Sequence, residues 1–299
     1  MEAPEGETVF REQRVLDLIN MNVLVTGSEG MLAHDLIQVL NERHEVIAPG
    51  EEQLNITDRE RVSCTVRELW PDLVVNCAAY THVDKAEEES EKAFLVNGIG
   101  VQNLALACHE VRIPLCHIST DYVFNGENDT PYTPFDNTDP INAYGESKLA
   151  GEMFIQWIMN AFYIIRTSWL YGRRGNNFVS TIMRITKEQP EIRVVHDQKG
   201  SPTSTVTLSR AIQRLIETGA YGIYHVTDLT EGGISWHKFA EEIVKAIGLT
   251  TRVIPITTEE FPRPAKRPKY SVLDVSIFSL VTGDSLPDWR KALRDYLVP

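Results

Sequence analysis

The chain has little of what marks a secreted, membrane-bound or nucleic-acid-binding protein. Its 299 residues include only four cysteines, Cys64, Cys77, Cys108 and Cys116, with no Cys-x-x-Cys pair. Some of these lie in predicted core strands, which points to reduced thiols in a cytoplasm and to neither a disulfide framework nor a zinc site. The eight histidines are scattered and no His-Glu-x-x-His helix occurs, so no metal-ligand set is assigned. No apolar run approaches the ~20 residues that cross a bilayer, so no membrane association is expected. Positive charge is scarce: 29 Lys and Arg stand against 42 Asp and Glu, a net charge of −13. Proteins that bind nucleic acid or a membrane surface usually present a basic face, and an anionic small ligand must here meet a local basic pocket. Internal repeats and low-complexity segments are absent. Residues 1–20 lack the apolar core of a signal peptide. They read as an extension, a short helix from about Val9 to Ile19, or translation from an upstream start, and function is not expected to depend on them.

What the chain does have is a regular alternation of apolar strands and amphipathic helices. Strands are read at Asn22–Thr26, Glu45–Ala48, Leu73–Cys77, Leu115–Ser119 and Tyr163–Thr167. Helices are read after Gly30 through Leu40, from Asp58 to Leu69 with Thr57 or Asp58 as cap, from about Ser90 to Glu110, and around Tyr144. This pattern predicts an α/β fold, a Rossmann-like doubly wound parallel sheet. In the helix that carries Tyr144, the residues Leu149, Ala150, Met153, Phe154, Trp157 and Ile158 recur at helical spacing and are expected to pack on the sheet. After Tyr171-Gly172 the pattern loosens into short elements with a proline-rich segment, Phe261 to Pro268. The expected organisation is an extension over 1–20, a nucleotide-binding domain over 21–171, and a smaller, mainly substrate-binding α/β lobe over 172–299, with some segments returning to the first domain.

Two motifs carry chemistry. The first strand runs into Gly27-Ser28-Glu29-Gly30-Met31-Leu32-Ala33 and then a helix. Gly27 permits a tight turn, and Gly30 leaves space for a pyrophosphate on the helix N-terminus. The third glycine of the usual dinucleotide pattern is alanine here, which that pattern tolerates. The second motif is Tyr144-Gly145-Glu146-Ser147-Lys148, downstream of Ser119-Thr120-Asp121 at a strand end. A spacing of four brings Tyr144 and Lys148 onto one helix face, so the ammonium is expected beside the phenol. A free tyrosine titrates near ~10, and a neighbouring cation would lower it toward the range of a working proton donor. After the third strand, Ala78, Ala79 and Thr81 are short enough for a cofactor to pass closely. The segment after the second strand, Ile47 to Gly50, has neither the acid that favours NAD nor the arginine that favours NADP. Glu51 and Glu52 nearby lean toward NADH, leaving both cofactors open.

Together these residues resemble the extended short-chain dehydrogenase/reductase superfamily and, within it, the dTDP-4-dehydrorhamnose reductases. The resemblance covers nearly all of Met21 to Pro299. It is carried by Cys77-Ala78-Ala79-Tyr80-Thr81-His82-Val83-Asp84-Lys85, Ile118-Ser119-Thr120-Asp121-Tyr122-Val123-Phe124, Asn176-Asn177-Phe178-Val179, Asp197-Gln198-Lys199-Gly200-Ser201-Pro202-Thr203 and Arg263-Pro264-Ala265-Lys266-Arg267-Pro268. Small departures stand at Asn55, His82 and Asn125.

The resemblance implies reduction of the C4 ketone of dTDP-4-dehydro-L-rhamnose to dTDP-L-rhamnose with NADPH or NADH. Tyr144 would donate the proton, Thr120 would hydrogen-bond the same oxygen, and Lys148 would hold the nicotinamide ribose. The implied cofactor site adds Gly27, Gly30, Met31, Leu32, Asp58, Ala78, Ala79, Tyr80 and Thr81. The implied sugar site adds Val83, Asp121, Tyr122, Trp169 and Asn177, with Arg263 and Lys266 as a diphosphate clamp. Some relatives dimerise through Mg²⁺ held by carboxylates. Asp35 on the first helix is the one candidate ligand, without identifiable partners, so Mg²⁺ has no assigned site and monomer and homodimer both stay open.

Three alternatives share much of this apparatus. A nucleotide-sugar 4,6-dehydratase would continue Thr-Asp-Glu where this chain has Thr120-Asp121-Tyr122, an epimerase or other nucleotide-sugar reductase would keep the same loop, and a regulatory subunit resembling methionine adenosyltransferase β would bind a partner without turnover.

Overall fold

A computed structural model describes residues 20–298. The helix read at Val9 to Ile19 lies outside the described residues. Strands β1 (Asn22–Thr26), β2 (Glu45–Ile47), β3 (Leu73–Asn76), β4 (Leu115–Thr120) and β5 (Phe162–Thr167) alternate with helices in the first half. The second half contributes β6 (Leu170–Tyr171), β7 (Glu191–Val195), β8 (Lys199–Gly200), β9 (Thr203–Ser204), β10 (Gly222–His225), β11 (Ile234–Ser235) and β12 (Arg252–Ile256). Among the described residues, six strands form one sheet in the order β10-β5-β4-β3-β1-β2, with every pairing parallel. The protein is therefore a Rossmann-like α/β fold, and β10 joins the sheet from far along the chain.

The strands are continuous apolar runs because both faces of the sheet are covered. On one face the helices Met31–Leu40 and Thr205–Ile216 bury Leu32, Leu36, Leu208 and Ile212 against Val23, Val25 and Val75. On the other, the helices Arg59–Leu69 and Val101–Val111 bury Val62, Val66, Leu104 and Cys108 against Leu24, Val74 and Leu115. A third cluster, with Tyr171, Phe239, Ile243 and Trp289 at its centre, lies among the C-terminal elements. β1 has β2 on one side and β3 on the other, so successive connections leave in opposite directions and open a crevice beyond the carboxyl ends of β1 and β3.

Two expectations need correction. The stretch read as one helix from Ser90 to Glu110 is helical at Ser90–Phe94, widens into a π-helical turn at Leu95–Gly100, and resumes over Val101–Val111. The wider turn brings the Asn97 carbonyl against the neighbouring helix Ala143–Ile158, so close that a Cβ on Gly151 would lie 2.3 Å from it. The apolar stripe of Ala143–Ile158 packs only in part: Leu149 and Ile158 lie against core clusters, and the middle of the stripe does not. Met153 is 38% and Trp157 70% exposed, whereas Gly145, Ser147, Lys148, Gly151, Glu152 and Ile155 are buried.

The reason is an ion pair. Glu152, wholly buried, accepts from Arg166 of β5 at 2.6 and 3.0 Å and from the Ser119 hydroxyl of β4 at 2.5 Å. These charge-assisted bonds turn the helix so that Glu152 and Lys148 meet the sheet, while Gly145, Ser147 and Gly151 face Tyr122, Asn97 and Val101. Removing one member of a buried pair strands the other charge at a cost of about 3–5 kcal/mol. Urea denaturation of Glu152→Ala is expected to show a loss of that size, with a smaller loss for Glu152→Gln; an unchanged midpoint would mean that apolar packing alone seats the helix.

Candidate active site

The crevice is a cleft of ≈ 470 Å³ lined by residues that follow β1, β3, β4 and β5. Gly27 adopts φ +67°, and a Cβ there would lie 2.5 Å from the Ala78 nitrogen, so glycine is required for the loops after β1 and β3 to touch. Gly30 opens the helix Met31–Leu40, no side chain caps it, and Gly30, Met31, Leu32 and Ala33 all face the cleft. Its first-turn N–H groups are thus available to an anion, the arrangement a dinucleotide pyrophosphate needs. Ala79 and Thr81 line the cleft opposite. The buried Thr167 hydroxyl, also in its wall, has no hydrogen-bond partner among the described residues. These features fit a nicotinamide dinucleotide.

At the far end stand Thr120, Asp121, Tyr144 and Lys148. Asn142 caps their helix by accepting from the Gly145 N–H at 2.8 Å, and its amide donates to the Lys266 carbonyl at 2.8 Å, so the first turn, with Tyr144, is pinned to the proline-rich segment. Thr120 donates to Asp121 at 3.0 Å and accepts from the Tyr122 N–H. Burial pushes the Tyr144 phenol up to about 12; the Thr120 hydroxyl opposes this, and the Asp121 charge adds to it. Burial likewise lifts Asp121 to about 7 against hydrogen bonds from Ser271 and Thr120.

The expected pairing of Lys148 with the phenol is not found. Lys148 Nζ donates to the Ile118 carbonyl at 2.7 Å and lies 3.3 Å from His117 Nε2. Spacing on a helix face does not decide where a long side chain ends, and this one runs between helix and sheet to the backbone of β4. Burial lowers its pKa to about 8, opposed by Glu152 and Cys77.

The remaining candidates divide. Trp169 and Asn177 line the cleft. Trp169 is held at φ +46°, stacked on Trp236 at 3.5 Å between ring centres, and its indole also closes on Gly200. Asn177 caps the helix Phe178–Glu188 with its oxygen and donates to the Gly172 carbonyl at 2.8 Å. Tyr122 packs edge-on to Tyr144 at 5.9 Å. Gly27, Ala78 and Tyr80 act behind the lining: the Tyr80 N–H and carbonyl are both held by Asn97. Asp58 caps the helix Arg59–Leu69. Val83 heads a short helix, Val83–Ala86, beside the cleft-lining Thr81. Arg263 is paired with Asp84 at 2.5 Å, as is Arg267 at 2.6 Å, while Lys266 is exposed. Asp35 is buried and accepts from the Thr205 hydroxyl.

Sequence reasoning missed Asn76, Asn97, His117, Gly200 and Trp236. A polar residue inside an apolar strand, Asn76 or His117, was the one available signal; the others are recognisable only by what they touch.

The family model for the RmlD substrate binding domain matches residues 21–299. A spore coat polysaccharide biosynthesis protein of Bacillus subtilis is 43% identical over 92% of this chain and 96% of its own length. A dTDP-4-dehydrorhamnose reductase of Streptomyces griseus is 41% identical over 91% of each chain. Among solved structures, a dTDP-4-dehydrorhamnose reductase from Bacillus anthracis in complex with NADP superposes with a TM-score of 0.90 at 41% identity, covering 93% of this chain and 99% of the other.

Two outcomes follow from this geometry. Burial would raise the Asp84 carboxyl, but Arg267 and Arg263 hold it down at about 2. A depressed folded-state pKa adds stability above the unfolded value, near 3.8, which is lost as pH falls through the folded one. Asp84→Asn should therefore lower stability at neutral pH, and its difference from the parent should close toward pH 2 in acid-unfolding curves. In Gly200→Ala the new Cβ would sit 2.6 Å from the Trp169 ring. Displacing that ring from Trp236 is expected to change tryptophan fluorescence and cost about 1–3 kcal/mol; an unaltered spectrum would refute the close contact of Gly200 with Trp169.

Proposed function

The chain belongs to the RmlD substrate binding domain family, and from that membership we propose that it reduces the C4 ketone of dTDP-4-dehydro-L-rhamnose to dTDP-L-rhamnose, using NADPH or NADH. The observation that carries the reading is the convergence of Thr120, Tyr144 and Lys148 on one end of a cleft whose other end is an uncapped helix N-terminus. A reduced nicotinamide bound there supplies a hydride to the ketone carbon. The protein supplies everything else.

Gly30, Met31 and Leu32 hold the pyrophosphate, and Ala79 and Thr81 give the cofactor a close wall. Lys148, fixed on β4, takes the nicotinamide ribose. Tyr144 gives its phenolic proton to the alkoxide oxygen as charge develops there. A phenol raised by burial stays protonated until that moment, and negative charge on the substrate oxygen provides the driving force. Thr120 hydrogen-bonds the same oxygen, releasing Asp121 as it does so. Trp169 and Tyr122 bracket the sugar, Val83 adds an apolar edge and Asn177 a polar one. Arg263 and Lys266 are assigned to the diphosphate, the former in exchange for its pairing with Asp84. Residues 21–171 then act as the nucleotide domain and 172–299 mainly as the substrate lobe.

Glu29, Glu51, Glu52 and Asn55 line the surface beyond β2 with no Lys or Arg among them. A 2′-phosphate gains no ion pair from those residues, which supports use of NADH as well as NADPH.

The test is loss of nicotinamide absorbance on adding enzymatically generated dTDP-4-dehydro-L-rhamnose to the protein with NADPH or NADH. Rapid oxidation with dTDP-L-rhamnose as product is expected; a folded, cofactor-binding protein that gives no oxidation overturns the reading. Tyr144→Phe should lower turnover by roughly two orders of magnitude or more while cofactor affinity stays near that of the parent. Turnover close to normal would remove Tyr144 from the proton-donor role.

A further inference from the structure

A line of buried polar side chains runs under the active site from β1 to the helix Ala143–Ile158. The Thr26 hydroxyl donates to Asn76 Oδ1 at 2.6 Å, the Asn76 amide nitrogen lies 2.9 Å from His117 Nδ1, and His117 Nε2 lies 3.3 Å from Lys148 Nζ. All four residues are at most 2% exposed. The direction of every proton in this line can be worked out. The Ala78 backbone N–H donates to Asn76 Oδ1 at 3.0 Å. A backbone N–H is only a donor, so that atom is the amide oxygen and the other end of Asn76 is the NH₂ group. This NH₂ points at His117 Nδ1, which must present its lone pair. A neutral imidazole then carries its hydrogen on Nε2, and burial keeps the ring neutral by holding its pKa well below the usual value. That N–H is aimed at Lys148, where an ammonium would meet it donor to donor and a neutral amine would accept from it.

We propose that His117 is a positioning residue that sets the charge of Lys148, its tautomer imposed by Asn76 and its Nε2–H favouring the neutral amine. The other groups facing Lys148 are Glu152 on its own helix and Cys77 at the end of β3, with Arg166 of β5 committed to Glu152. Glu152 favours the ammonium, and its charge is already divided between Arg166 and Ser119. His117 is the group within hydrogen-bond reach that opposes it. In a reductase cycle Lys148 is then a cation whose charge appears and disappears near neutral pH, and the hold on the nicotinamide ribose fades as pH rises. This inference rests on the role given above to Lys148, but its central claim concerns the protein alone.

The test is therefore made first without cofactor or substrate. Lysine 13Cε NMR, with Lys148 assigned by loss of its signal in Lys148→Met, is expected to show a titration midpoint near 8. Histidine 15N shifts are expected to show His117 protonated on Nε2 and bare on Nδ1. The isosteric Asn76→Asp turns the atom facing His117 into an acceptor, moves the ring hydrogen to Nδ1 and presents a lone pair to Lys148. It should raise the midpoint by about one unit or more and shift the basic limb of the kcat profile with it. Lys148 protonated beyond about 10, the range of an ordinary lysine, or a hydrogen on Nδ1 in the parent protein, would overturn the proposal even if Asn76→Asp did not fold. A low midpoint that Asn76→Asp leaves in place would assign the effect to burial and also overturn it. Failure of the reductase assay alone would leave these NMR results standing.

Discussion

The seat of the helix Ala143–Ile158 is the constraint on which the rest of the site depends. Buried Glu152, gripped by Arg166 and Ser119, fixes both the rotation of this helix and its distance from β4 and β5. A buried charge has one acceptable place, whereas an apolar stripe can slide by a residue at small cost. Once Glu152 is placed, Lys148 one turn earlier must point into the sheet and Tyr144 two turns earlier must reach the cleft. The exposed Trp157 and Met153 show how far this ionic contact overrides the apolar periodicity of the same helix.

Polar side chains do the same work on the loops. Asn97, from a π-helical turn, holds both the N–H and the carbonyl of Tyr80 and donates to Ser147, so the loop after β3 and the helix Ala143–Ile158 share one support. Asn76 accepts from the Ala78 N–H at the same loop's start while passing its amide hydrogen toward His117. In a low-dielectric interior such bonds are strong when complete and costly when broken, so they define one geometry where apolar contacts would allow several. The functional consequence is a cofactor cleft whose walls are tied to one another by buried hydrogen bonds.

The opposite wall is aromatic and strained. Trp169 takes a left-handed backbone conformation that few non-glycine residues adopt, and its ring stacks on Trp236 and closes on Gly200. Those partners come from β8 and from the helix Trp236–Ala246, which ties the segment after β5 to the C-terminal elements. The Asp84 contacts with Arg263 and Arg267 form a second tie of this kind. Charge that reads in the sequence as a free basic clamp is thus partly engaged within the protein.

The alternation of parallel strands with helices, the glycine turn and the placing of Tyr144 and Lys148 on one helix after Thr120 were legible in the sequence, because each follows from local rules: buried parallel strands are continuously apolar, a tight turn at positive φ needs glycine, and motif spacing places residues on a helix. The family followed from the same stretches. The rotation of the helix Ala143–Ile158, which of the returning segments completes the sheet as β10, the π-helical turn and the partner of Lys148 were not legible. Each is decided by groups distant in sequence: Glu152 by Arg166, Asn97 by Tyr80 and Ser147, Lys148 by the carbonyl of Ile118 and the ring of His117. The sequence by itself determined which chemical groups are present and which local elements carry them. Only the tertiary structure decided which of those groups share a buried hydrogen bond, because that choice depends on desolvation and distance, and neither exists until the chain has closed around them.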